Sequence, residues 1–306
     1  MDENIKTKAG YVAILGKPNV GKSTLLNALL GQKLSITNSK PQTTRKRILG
    51  ILSDQNYQII FLDTPGILKP AYLLQEKMME TVNRSINDAD VILLILDVND
   101  DPDGNKTLKD DFIFKAVMNS RKPKVLILNK VDLISQEKVS TLISKFEESS
   151  SFKKIIPVSA LIGFNIQSIT DTILEGLPEN PKFYPEDIIA EENERFFVSE
   201  IIREKILELY KEEIPYSCEV IIADFKERDD KKNFIQAEIV VEKESQKGII
   251  IGKQGAAIKK LGQISREAIE DFLQHEVFLE LRVKVRSKWR SDEKMLKSFG
   301  YSPDKD

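Results

Sequence analysis

The segment Gly16-Lys17-Pro18-Asn19-Val20-Gly21-Lys22-Ser23 follows the apolar run Tyr11 to Leu15 and precedes the helical run Thr24 to Leu30. A GxxxxGKS octet in that setting closes off most folds, because it requires a buried strand that turns tightly into a helix N-terminus. The glycines let the backbone wrap an anion, so that N–H groups and the positive end of the helix face phosphate. Lys22 then reaches the terminal phosphates, and Ser23 offers a hydroxyl to Mg²⁺. Gly16, Asn19, Val20, Gly21, Lys22, Ser23 and Thr24 are therefore expected at a phosphate site.

The same alternation runs through the first half of the chain. Tyr57 to Leu62, Val91 to Leu96, Lys124 to Leu128 and Ile155 to Val158 read as further buried strands, with helices expected to begin near Ser23, Tyr72, Thr107, Gln136 and Ile166. Strands separated by helix-length amphipathic segments need crossover connections, which gives an α/β domain with a mostly parallel sheet and ligands at the carboxyl ends of its strands. Pro178, Pro181 and Pro185 then punctuate the chain. The expected division is a first domain over 1–177, a linker over 178–187 and a second domain over 188–306. In the second, the order becomes a helix from about Arg195 to Tyr210, strands Cys218 to Phe225 and Phe234 to Val241, a glycine-bounded turn, a helix near Ala256 to Gln274, and a strand Phe278 to Val285. That is an α+β domain with its own core.

Three later segments extend the phosphate site. Asp63-Thr64-Pro65-Gly66 ends the strand Tyr57 to Leu62, where a carboxylate can hold Mg²⁺ through water and the Gly66 N–H can sense a terminal phosphate. Asn129-Lys130-Val131-Asp132 ends the strand Lys124 to Leu128; Asp132 can accept from both N1–H and the 2-amino group of guanine. Adenine lacks that donor pair, so the ligand expected is GTP or GDP. Ser159-Ala160-Leu161 follows Val158 and supplies a backbone N–H to the guanine O6.

In this order the elements resemble the translation-factor-related class of P-loop GTPases. The resemblance marks Gln42-Thr43-Thr44-Arg45 as the first switch, with Thr44 joining Ser23 and Asp63 on Mg²⁺ and Thr43 as the alternative; Gly31 to Arg47 is polar and basic, as a loop that orders around the γ-phosphate would be. Lys22, Thr44, Gly66 and Asn19 are the catalytic candidates. Ile67 stands where Ras-like enzymes carry a water-orienting glutamine, which implies slow intrinsic hydrolysis. Families with an apolar residue there often use K⁺ held by a phosphate-loop asparagine, the position of Asn19.

Composition excludes several other classes. The 306 residues are 41% hydrophobic, enough for a buried core, and the aliphatic run Val91 to Leu96 is too short to span a bilayer. Met1 to Lys8 has no apolar leader core, so a cytoplasmic protein is expected. Cys218 and His275 are the sole cysteine and histidine, which excludes an internal disulfide and a Cys/His zinc site. The net charge of −2 conceals segregation: acids dominate Glu186 to Glu213, whereas Lys243, Lys247, Lys253, Lys259 and Lys260 cluster, and Arg282, Lys284, Arg286, Lys288 and Arg290 alternate along the last strand. Alternation at period two would put those bases on one face.

Gly248-Ile249-Ile250-Ile251-Gly252-Lys253-Gln254-Gly255 precedes the helix at Ala256. With its apolar lead-in and flanking lysines it resembles a type II KH domain, whose GxxG loop clamps single-stranded RNA. The RNA candidates are Gly248, Ile251, Gly252, Lys253, Gln254, Gly255, Lys259, Lys260 and Arg286. A GTPase followed by a KH domain resembles the Era family over essentially the whole chain, as do Lys40-Pro41-Gln42-Thr43-Thr44-Arg45, Phe183-Tyr184-Pro185-Glu186-Asp187 and Glu212-Glu213-Ile214-Pro215-Tyr216-Ser217. The resemblance implies a monomer that binds 16S ribosomal RNA near its 3′ end and assists 30S subunit assembly. It also allows peripheral association with the inner face of the cell membrane. The rival reading, a metabolic or membrane-surface GTPase with a non-RNA partner domain, finds no further catalytic constellation in the second half.

Overall fold

The computed structural model describes residues 7–38, 40–108, 117–148, 151–228 and 231–301. The chain divides into two compact units, residues 1–71 with 75–191 and residues 72–74 with 192–306.

In the first unit six strands form one sheet: β1 (Lys8–Gly16), β2 (Ile48–Asp54), β3 (Tyr57–Asp63), β4 (Val91–Asp97), β5 (Lys124–Asn129) and β6 (Lys154–Val158), in the order β2-β3-β1-β4-β5-β6. All neighbours are parallel except β2 and β3. The helices are α1 (Lys22–Leu30), α2 (Leu73–Asp88), α3 (Asn105–Leu108), α4 (Gln136–Glu147) and α5 (Gln167–Gly176). All seven residues of β4 are buried, which is why it reads as an unbroken apolar run and not as an alternating one. β1 lies between β3 and β4, so the sequence order reverses direction at β1 and opens a crevice at its carboxyl end. The phosphate loop leaves β1 at that point.

Sequence reasoning missed β2. Its segment follows a polar loop and is broken by Gly50, where an added Cβ would lie 2.8 Å from the side chains of Leu26 and Leu30; the glycine admits α1 close against the sheet. The helix expected near Thr107 is described as Asn105–Leu108; residues 109–116 lie outside the described residues.

Residues 178–187 are held on this first unit. The buried side chain of Gln58 accepts from the amides of Phe183 (2.8 Å) and Tyr184 (3.0 Å) and donates to the Tyr184 carbonyl at 2.9 Å. Tyr184 and Ile188 pack on Leu49, Ile51, Ile60 and Leu62, and Ile51 donates to the Ile189 carbonyl at 2.8 Å. The segment thereby covers the exposed edge of β2, an edge that would otherwise invite another strand.

The second unit holds α6 (Glu194–Leu209), α7 (Ile214–Ser217), β7 (Glu219–Lys226), β8 (Asn233–Val241), α8 (Glu244–Ile251), α9 (Ala256–Leu273), β9 (Val277–Val285) and α10 (Glu293–Ser298). β7 and β8 are antiparallel, β8 and β9 parallel, and α8 with α9 makes the crossover between the parallel pair. Ile202 and Ile206 of α6, Ile235, Ala237 and Ile239 of β8, and Leu261 and Ile269 of α9 are fully buried in one core. Asn193 caps α6 by accepting from the Phe196 N–H at 3.0 Å, as its polar side chain before an amphipathic run suggests.

Two expectations need correction here. The segment before the GxxG is not part of a turn: Glu244–Ile251 is a helix, started by the Gln246 Oε1, which accepts from the amides of Glu242 (2.9 Å) and Lys243 (3.0 Å). Three consecutive isoleucines masked its helical period, because only Ile250 reaches the core. The basic run 282–290 is not one strand face either. β9 ends at Val285, Lys288 takes a left-handed conformation (φ 56°), and Trp289 turns fully into the interior.

Candidate nucleotide and RNA sites

Gly16 to Ser23 wraps a cavity of about 430 Å³ lined by Asn19, Gly21, Lys22, Ser23 and Thr24 from the loop, Thr43 and Thr44 from the switch segment, and Gly66, Lys130 and Leu161. Glycine is required at two of these positions by close approach. A Cβ on Gly21 (φ 99°) would meet the Asn129 amide at 2.3 Å, and one on Gly66 would meet the Pro18 backbone nitrogen at 2.7 Å. The loop and the Asp63-Thr64-Pro65-Gly66 turn are also stitched together by the Ile67 N–H on the Gly16 carbonyl at 3.0 Å. Ile67 itself is buried.

Three oxygens converge at the mouth of α1. Ser23 Oγ lies 2.9 Å from both Thr44 Oγ1 and Asp63 Oδ2, and Thr44 Oγ1 lies 3.4 Å from Asp63 Oδ2. The hydroxyl of Thr43 points elsewhere, onto the Lys40 carbonyl at 2.7 Å. Asp63 Oδ1 is buried without a hydrogen-bond partner. Burial raises the Asp63 carboxyl above the ordinary carboxylate range, against the opposing pull of Lys22 and of the Ser23, Ser35 and Thr44 hydroxyls. A hard oxygen set with an orphaned carboxylate oxygen fits Mg²⁺, whose charge would reverse that shift. Lys22 is nearly dry, with its Nζ on the carbonyls of Lys17 (2.9 Å) and Gly16 (3.3 Å); burial lowers it to about 8, partly offset by Asp63. Terminal phosphates would supply the anion that this ammonium lacks.

Asn129 joins two loops through one buried side chain. Its Nδ2 donates to the Val20 carbonyl at 2.8 Å, and its Oδ1 accepts from the Ala160 N–H at 3.0 Å. Of the segment Ser159 to Leu161, expected to supply an N–H to guanine, the Ala160 amide is thus already tied through Asn129 to the phosphate loop, with Ser159 and Ala160 buried and Leu161 80% exposed. Asp132 sits on an exposed turn just past Lys130, in a single 3₁₀ turn Val131–Leu133. Gly16 and Val20 are not among the residues that line this cavity.

The switch segment is less polar in effect than its composition. Leu34, Ser35, Ile36, Thr44 and Arg45 are all buried. Asn27 of α1 anchors it, accepting from the amides of Leu34 and Ser35 (2.9 Å each) and donating to the Ser35 carbonyl at 2.8 Å. Sequence reasoning missed Asn27; an asparagine in an otherwise apolar helix was the available signal.

In the second unit Gly252 (φ 72°), Gln254 (φ 50°) and Gly255 (φ 77°) form the turn between α8 and α9, with Lys253 and Gln254 exposed at its tip. A Cβ on Gly252 would lie 2.6 Å from that of Ala257, whereas Gly255 faces open space. Gly248 and Ile251 belong to α8, and a Cβ on Gly248 meets nothing. Lys259 and Lys260 are exposed on the first turn of α9. Beside the turn lies a cavity of about 320 Å³ lined by Ile258, Lys259, Gly262, Gln263 and Arg266 of α9 with Leu279 and Leu281 of β9. Ile258, Gly262 and Arg266 recur every four residues and so share one helix face, a spacing that sequence reasoning left unused. Of the basic run, Arg282 pairs with Glu280 (2.7 Å), Lys284 with Glu238 (2.5 Å) and Arg290 with Glu242, while Arg286 is exposed at the strand end. Arg282, Lys284 and Arg290 are thus paired with local carboxylates.

Residues 11–130 match the family model described as 50S ribosome-binding GTPase, and residues 213–290 match the KH domain model. The chain is 45% identical over 299 residues to GTPase Era of Caldanaerobacter subterraneus subsp. tengcongensis, covering 97% of this chain and 99% of that protein. The chain belongs to the Era family of GTPases. It is also 48% identical to the chloroplastic GTPase ERA1 of Zea mays, over 96% of this chain and 70% of the plant protein. Among solved structures, it is similar to Era in complex with MgGDPNP and nucleotides 1506–1542 of 16S ribosomal RNA, with a TM-score of 0.88, 41% identity, and coverage of 97% of this chain and 99% of that one.

Proposed function

We propose that this member of the Era family is a GTP-hydrolysing switch that binds 16S ribosomal RNA near its 3′ end and, as a monomer, assists 30S subunit assembly. The observation that carries the reading is the convergence of Ser23, Thr44 and Asp63 at the phosphate cavity, in a chain whose other unit presents a GxxG turn beside an apolar groove. The relative crystallised with MgGDPNP and nucleotides 1506–1542 of 16S ribosomal RNA supports the choice of RNA. Functionally, residues 1–177 form the GTPase domain; the expected boundary at 188 moves, because 178–191 travel with the first unit and the KH domain runs from 192 to 306.

In this reading Gly16, Asn19, Val20, Gly21, Lys22 and Thr24 cradle the phosphates, and Asp132, Lys130, Asn129 and Ser159 to Leu161 select guanine. Ser23, Thr44 and Asp63 would hold Mg²⁺, which would neutralise phosphate charge when bound. The Thr44 geometry favours it over Thr43. Lys22 stabilises negative charge as the terminal phosphoryl transfers to water, and the Gly66 N–H marks the γ-phosphate. Buried Ile67 offers nothing to orient water; Asn19 would hold K⁺, which would supply charge stabilisation there. Single-stranded RNA passes over Gly252 to Gly255, with Lys253, Gln254, Lys259, Lys260 and Arg286 on its phosphates and bases entering the Ile258 to Arg266 groove; Gly248 and Ile251 act as supports for the turn. A location at the inner face of the cell membrane would be peripheral in this reading; among the described residues no helix is long and apolar enough to cross a bilayer.

The test is to titrate a 16S 3′-end fragment against the protein loaded with GDPNP and with GDP at fixed salt. Tighter binding with GDPNP is expected, and RNA must then tighten GDPNP by the same factor. Equal affinities would reduce the two domains to a mere tether.

A further inference from the structure

The sequence reading leaves Asp97 without a role, yet both oxygens of its carboxylate are engaged beside the phosphate loop. It ends β4, is buried, and pairs in register with Asn129 of β5. Oδ1 accepts from the amides of Asn99 (3.0 Å) and Asp100 (3.2 Å), closing the turn after the strand. Oδ2 receives the Lys130 ammonium at 2.5 Å, and the same ammonium donates to the Asn19 carbonyl at 3.0 Å. Lys130 (φ 67°) and Asn19 (φ 64°) both hold left-handed backbone conformations that cost energy for residues with a side chain. Such conformations persist only where neighbours over-determine them. The chain Asp97, Lys130, Asn19 therefore ties the guanine-selecting loop to the phosphate loop through a single charged side chain.

We infer that Asp97 is a positioning residue for nucleotide binding: its carboxylate fixes the Lys130 side chain where it lines the base end of the cavity and braces the Asn19 carbonyl. The inference rests on the reading of Lys130 as a nucleotide contact. A lysine stem free in water samples many rotamers, and fixing it beforehand spares that entropy when guanine arrives. The gain belongs to binding and not to the chemical step, so its loss should appear in nucleotide release and in KM more than in kcat.

The isosteric Asp97→Asn variant separates the two halves of the carboxylate's work. The asparagine Oδ1 still accepts from Asn99 and Asp100, so the turn and the fold are kept, while the charge facing Lys130 is gone. Dissociation of a fluorescent GDP analogue from the full chain is measured for Asp97→Asn, Lys130→Ala and the double variant. Each single change should speed release by about tenfold, the worth of one charge-assisted hydrogen bond. The double variant should release no faster than the quicker single, because both remove the same link. Asp97→Glu should recover part of the loss. If Lys130→Ala speeds release and Asp97→Asn does not, or if their effects multiply, the role given to Asp97 is wrong. If Lys130→Ala itself leaves release unchanged, the assignment of Lys130 to the nucleotide fails first.

Discussion

Tyr210→Phe should loosen the KH domain by an amount that depends on pH in a predictable way. Tyr210 follows α6, is 7% exposed, and donates its hydroxyl to the carbonyl of Ile250 at 2.9 Å, two residues before the GxxG loop. Phenylalanine keeps the ring packing but leaves a buried carbonyl without its partner, which costs about 1–3 kcal/mol. Burial, helped by the neighbouring Cys218, pushes the Tyr210 phenol up to about 12 from an ordinary value near 10. A folded-state value above the unfolded one means that the unfolded chain loses its proton first. The hydroxyl's contribution is thus complete below pH 10 and lost as pH rises from 10 towards 12. The gap between wild type and Tyr210→Phe should then close by up to about 1.4 kcal/mol per pH unit, erasing a 2 kcal/mol difference within roughly 1.5 units. Trp289 is the only tryptophan and is fully buried in this domain, so its fluorescence during urea unfolding reports the KH unit alone. Tyr216, also raised by burial, is common to both proteins and cancels in the comparison. A destabilisation below about 0.5 kcal/mol at pH 8, the scatter of ordinary surface changes, would refute the reasoning, as would stability curves that stay parallel to pH 12.

Asp132→Asn should weaken GTP by about 100-fold or more and favour xanthosine triphosphate, because the amide cannot accept from both guanine donors; unchanged preference in a competition assay would remove Asp132 from base selection. Thr44→Ala should raise the Mg²⁺ concentration needed for hydrolysis by about tenfold, whereas Thr43→Ala, whose hydroxyl serves the Lys40 carbonyl, should not; a reversed pattern would move the metal ligand to Thr43. Hydrolysis should run at least about tenfold faster in potassium than in sodium, and Asn19→Ala should abolish the difference; equal rates in the two salts would exclude the cation. Gly255→Ala, at φ 77° in open space, should cost only about 1 kcal/mol of stability yet weaken RNA, while Gly252→Ala also drives a methyl onto Ala257 and should distort the turn; circular dichroism and filter binding together separate the two effects.

By itself, the sequence determined the phosphate loop, the parallel sheet and the domain order, because each is local. A GxxxxGKS octet between a strand and a helix has one workable backbone, and strands buried on both faces announce themselves as unbroken apolar runs. Gly252 and Gly255 likewise disclose a left-handed turn through the one residue type that tolerates it well. Tertiary structure decided what depended on partners distant in the chain. Composition could not reveal that Lys284 spends its charge on Glu238, that Gln58 captures Phe183 and Tyr184 across 125 and 126 residues, or that Asp97 meets Lys130. A charged or amide side chain carries no mark of which neighbour it will satisfy; the choice belongs to sheet order and register, which bring β4 beside β5 and β8 beside β9. β2 and α8 escaped for the same reason, since their residues are good enough for more than one local structure and only packing selected among them.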